Sequence, residues 1–126
     1  MQEVPPEAEA WAAYFRTIRP EDDELLVSVA LMSADRRGEH LSRTPWRRLR
    51  MIRYDPAREV LEVGLGGQLG HGPPLRCFIS APRRIVVEQL DGRTHIEVAD
   101  ASGRRTAIGL RRASERPEPA AGLESG

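Results

Sequence analysis

Trp46-Arg47-Arg48-Leu49-Arg50-Met51-Ile52-Arg53-Tyr54 is followed by Asp55-Pro56-Ala57-Arg58, and then by Val60-Leu61-Glu62-Val63-Gly64-Leu65. The first and third pieces read as strands. Aspartate and proline in the first two places of the middle piece suit a type I turn. In the third piece Leu61, Val63 and Leu65 alternate with Glu62 and Gly64, the period of two of a half-buried strand. A link this short makes the pair antiparallel, because a parallel crossover needs about a dozen residues or more.

Reading toward the C-terminus, glycine and proline over 66–74 make a loop. Leu75–Ser80 is the next strand, with Leu75, Cys77 and Ile79 on one side. Past Pro82, Arg84–Leu90 runs to Asp91-Gly92, a hairpin signal. Thr94, Ile96 and Val98 alternate against His95, Glu97 and Ala99. After Asp100-Ala101-Ser102-Gly103, the residues Thr106, Ile108 and Leu110 mark the last strand. Toward the N-terminus, Leu25–Met32 is nearly continuous apolar sequence, as in a central strand. Asp35–Glu39 reads as a turn or exposed loop.

Ahead of the strands, Trp11, Tyr14, Phe15 and Ile18 recur at helical spacing behind Pro5-Pro6 and before Pro20. This predicts a helix over about 6–19 with an aromatic stripe lying on the sheet, after an extended lead-in over 1–6. The expected class is α+β: one N-terminal helix packed on a curled antiparallel sheet, or small open barrel, of five to six strands. The domain spans 1–111. Residues 112–126, with one large apolar residue, read as a disordered tail.

The net charge is zero, and all nineteen basic residues are arginine. With so much alanine, glycine and proline, this reads first as the codon usage of a GC-rich genome. The distribution carries more information. From Arg36 to Arg58 eight arginines meet two carboxylates, a net +6, while residues 1–35 carry −6. Trp46, Arg48 and Arg50 fall on one strand face, and Arg47 and Arg53 lie in the same strand. These five are the candidate contacts to a partner. An acidic protein or a second copy of the chain is one occupant. Single-stranded nucleic acid, held by an aromatic ring among guanidinium groups, is another. The plainer reading is that the acidic run Glu21–Glu24 neutralises the arginine strand within the fold.

Other constellations are weaker. Gly66–Gly72 lacks the lysine, hydroxyl and following helix of a phosphate loop. His40, His71 and His95 show no ligand spacing, so no metal or cofactor is expected. Cys77 is the only cysteine and sits among apolar alternates, as a buried structural thiol does. No signal-peptide pattern and no run of membrane-spanning length occurs, which leads to a cytoplasmic expectation.

Leu49–Asp55 with Val60–Val63, then Ile79-Ser80-Ala81-Pro82, Val86-Val87-Glu88, Asp91-Gly92, Ile96-Glu97-Val98 and Asp100–Gly103, resemble a family of small bacterial proteins of unknown function. The resemblance covers about residues 8–110. It implies a stable fold and carries no assigned activity. The helix-then-strands order also looks like Sm-type small barrels, but their strand signatures are not in register here. The expected function is therefore that of a non-enzymatic binding or accessory protein whose arginine strand contacts an acidic partner. An Sm-like RNA-binding barrel and a small enzyme are the alternatives.

Overall fold

A computed structural model describes residues 2–20, 24–32, 40–67 and 74–113, with the backbone alone for 40–42. The chain forms β1 (Gln2–Val4), α1 (Ala8–Arg16), β2 (Leu25–Met32), β3 (His40–Arg43), β4 (Arg47–Asp55) and β5 (Val60–Leu65). There follow β6 (Leu75–Ser80), β7 (Pro82–Leu90), β8 (Arg93–Asp100) and β9 (Arg105–Arg112).

Local chemistry sets the hairpins. Asp55 Oδ1 accepts the Ala57 amide at 3.1 Å, closing the turn from β4 to β5. Asp91 and Gly92 have φ of 51° and 76°, the two positive values that a type I′ turn requires between β7 and β8. At the β8–β9 turn, Asp100 Oδ1 accepts the Ser102 amide, the Ser102 hydroxyl and the Arg104 amide. Gly103, at φ 89°, then lets the Asp100 amide reach the Arg104 carbonyl at 3.0 Å.

The hairpins assemble into one antiparallel sheet in the order β1-β7-β8-β9-β2-β4-β5-β6, with β3 paired to the far end of β2. β2 is the seam. It pairs with β9 over eight residues, but with β4 only at Leu26–Arg48 and Val27–Arg47. The path runs from β1 to β6 and, among the described residues, does not close. Even so, the chain passes from β6, at one end of the path, to β7, beside the other end, through Ala81 alone. The Ala81 amide donates to Glu59 and its carbonyl accepts from Ala101. The two far strands therefore meet at one residue, and the sheet must curl.

The core fills this curl. Phe15 from the helix, Val27, Leu61, Val63, Leu65, Ile85, Ile96, Val98 and Ile108 are almost wholly buried. Trp11 sets its ring edge-on to Tyr54, with centroids 5.3 Å apart, tying α1 to β4.

The helix and the antiparallel sheet agree with expectation, and the strand number does not. The described residues form nine strands, not five to six. β1 and β3 were not foreseen, because neither three nor four residues give a readable period and both form only against a distant partner. The helix is shorter than 6–19: it begins at Ala8 and ends at Arg16, where the Thr17 hydroxyl and amide both bond the Tyr14 carbonyl. β9 extends to Arg112, and the Ala113 amide donates to Glu24. The tail expected beyond it lies outside the described residues from 114 on, as do most of the acidic run and of the glycine loop.

Candidate functional site

β4 decides what the outer surface carries. Its register against β5 shifts between Leu49 and Met51, a β-bulge. Unbroken alternation would set Arg53 on the side opposite Arg48 and Arg50. The extra residue reverses the phase. Leu49, Ile52 and Tyr54 consequently enter the core, and Arg48, Arg50 and Arg53 all face out.

Neighbouring strands complete the face. Arg53 stands across from Glu62 on β5, and Glu62 stands across from Phe78 on β6. Gly64 separates Met51 from Arg76. The Glu62 side chain is only 8% exposed, while those of Arg53 and Arg76 are 65% and 61% exposed. Its carboxylate is ion-paired to both, at 3.5 Å from Arg53 Nη2 and closer to Arg76. The Arg76 guanidinium also lies 5.8 Å from the centre of the Phe78 ring, and Phe78 is 58% exposed. Arg53, Asp55, Arg58, Val60, Glu62, Phe78 and Ser80 enclose a shallow concavity of about 310 Å³.

Gly64 and Gly66 give this face its shape. A Cβ on Gly64 would come within 3.0 Å of Met51 Cγ, and one on Gly66 within 3.5 Å of Arg48 Cβ. Side chains of β4 thus lie across β5 where it carries none. Arg48 and Arg50 remain exposed, and among the described residues neither has an ion-pair partner.

The five residues singled out from sequence divide into three settings. Arg48, Arg50 and Arg53 share the outer face of β4. Arg47 stands beside Val27, half-buried, with its Nε enclosed and without a hydrogen-bond partner among the described residues. Trp46 precedes β4 and lies over Gly109 of β9, where a Cβ would meet its ring at 3.2 Å. The Arg111 guanidinium stacks on that ring at 4.7 Å. Burial pulls the Arg111 guanidinium below its ordinary pKa, and the charge of Arg93 adds to that.

Glu62, Arg76 and Phe78 escaped the sequence reading. The bulge had a signal, since the apolar run Leu49–Ile52–Tyr54 breaks a strict period of two, and an acidic residue inside an apolar strand points to nearby cations. Cys77 lies half-buried beside the core, and burial pushes its thiol up while the Arg47 charge works against this. His95 is exposed on β8, and His71 falls outside the described residues. Among the described residues no three metal-ligating side chains converge, and no helix is long and apolar enough to cross a membrane. Two larger grooves, of about 570 and 630 Å³, flank α1 and are lined by Tyr14 and Thr17 with parts of β1, β7 and β9. Neither gathers the outward arginines of β4.

Comparison of the chain with family models, with curated proteins and with solved structures gave no match.

Proposed function

We propose that this is a binding protein whose outer β4–β5–β6 face receives an acidic segment of another protein. One observation carries the reading: Arg48 and Arg50 stand exposed and without ion-pair partners among the described residues, beside Arg53, Arg76 and an exposed Phe78. A folded chain has no stability reason to gather like charges on one face, since adjacent guanidinium groups repel. Such a face speeds encounter with an acidic partner and sets its register. The exposed ring adds apolar contact area beside the Arg76 guanidinium.

Single-stranded nucleic acid fits less well. Base stacking along a strand needs a series of open aromatic platforms. The Trp46 ring is covered by Gly109 and Arg111, which leaves Phe78 as the one exposed ring on this face among the described residues.

The test is fluorescence anisotropy with a labelled ten-residue peptide of alternating glutamate and valine, beside a labelled uridine decamer. Peptide affinity should exceed RNA affinity, fall as salt rises, and drop about a hundredfold in the Arg48→Glu/Arg50→Glu double variant, two charge reversals each worth about tenfold. Equal binding by this variant, or tighter binding of the RNA, overturns the reading.

A further inference from the structure

The backbone of β6 points to how such a segment is held. β6 ends the hydrogen-bonded path, and among the described residues no strand pairs with its far side. The opposite end, β1, has only three residues. β6 has six, about 20 Å of strand at 3.3 Å per residue. It pairs with β5 in unbroken register from Val60–Ser80 to Leu65–Leu75. Protected edges are short, bulged, interrupted by proline or studded with charge. β6 is six residues long, unbulged and free of proline, its single charge is Arg76, and Leu75, Arg76, Phe78 and Ser80 are exposed along it.

The hydrogen-bond phase of this edge follows from one bond. The Ala81 amide donates to the Glu59 carbonyl at 2.8 Å, so the pairs that exchange bonds with β5 fall on the odd-numbered residues of β6. The N–H and C=O groups of Arg76, Phe78 and Ser80 consequently point away from the sheet. Their side chains stand on the arginine face, while Cys77 packs against the apolar core on the other side and Leu75, pointing the same way at the start of the strand, is exposed.

We infer that the acidic segment binds as an added strand on β6, alternating acidic and apolar residues. Its carboxylates lie beside Arg76 on the outer face, and its apolar residues extend the core past Leu75 and Cys77. This rests on the reading of the outer face as a site for an acidic segment. A second copy of the chain fits worse, because pairing β6 with β6 sets one arginine face beside another.

Phe78→Pro removes one outward N–H and no bond to β5, a place where an edge strand accepts proline. Phe78→Ala keeps that N–H. With the glutamate–valine peptide, Phe78→Pro should bind about tenfold weaker or worse, a loss of the size expected for an edge bond and its neighbours, and Phe78→Ala should lose much less. In the unaltered protein the peptide should slow amide exchange at Arg76, Phe78 and Ser80, a readout that does not depend on the proline variant folding. Peptide binding that needs Arg48 and Arg50 but ignores Phe78→Pro and leaves those three amides unprotected overturns strand addition while the arginine-face reading stands. Absence of peptide binding overturns both. Protection of the same amides by self-association, without peptide, overturns the inference in favour of a second copy.

Discussion

Glu62 lies directly across the β4–β5 ladder from Arg53 and shares its buried carboxylate between that arginine and Arg76. It is thus an internal competitor for the cations that would hold an acidic partner.

Glu62→Gln should therefore act in two opposite directions. Peptide affinity should rise several-fold as Arg53 and Arg76 are released. Stability should fall by about 1 kcal/mol or less, since both arginines are mostly exposed and screened. Anisotropy titration and urea unfolding measure the two effects, and an unchanged or weaker affinity contradicts the competitor role.

Trp46→Ala separates packing from binding. The ring covers Gly109 and carries Arg111, so its loss should cost about 2 kcal/mol of stability, as for a partly buried aromatic. Affinity for the acidic peptide should change less than about twofold, well under 1 kcal/mol. A large loss of binding by a folded variant would return Trp46 to the site.

Asp100 sets an acid limit on the β8–β9 turn. Desolvation works to raise its pKa, but the hydrogen bonds from Ser102 and Arg104, with the charge of Arg104, outweigh it and hold the carboxyl below its ordinary 3.8. A lowered folded value means that the stabilisation is complete above the unfolded pKa and disappears as pH falls through the folded one. Asp100→Asn should lose stability at pH 7, by about 1 kcal/mol for weakened acceptor bonds, and the difference from wild type should shrink below pH 3.8. A difference independent of pH in urea melts would exclude the carboxylate as its source.

Ala81 holds φ 51°, a left-handed value unusual for a residue with a Cβ. Ala81→Gly removes that conflict at the price of a freer unfolded chain. It should raise stability by about 0.5–1 kcal/mol. A lower melting temperature would show that the Cβ contributes packing that outweighs its strain.

Much of the fold was legible because its strands are long enough to show a period and its turns use residues with one strong preference. Asp91-Gly92 and Asp100–Gly103 marked their turns plainly. Leu61, Val63 and Leu65 announced their face. β1 and β3 were hidden because their pairing is tertiary. The arginine cluster was visible as charge along the chain, but its geometry was not. Only the bulge after Leu49 puts Arg53 with Arg48 and Arg50, and only the β5–β6 register brings Arg76 and Phe78 alongside. Arg47, next in sequence to Arg48, faces the other way and shows how little adjacency in a strand says about a shared surface.

The β2–β9 seam also sets an order of assembly. Its two strands are separated in the chain by all of β3 to β8, so closing it carries a large loop entropy, comparable to that of the β1–β7 pairing. The meanders β4–β5–β6 and β7–β8–β9 need only neighbouring segments and should form first, with β2 locking them together afterwards. Val27→Ala should then speed unfolding far more than it slows refolding. Until β2 arrives, the nascent protein is two hairpin stacks joined at Ala81, each with an apolar face waiting for the other.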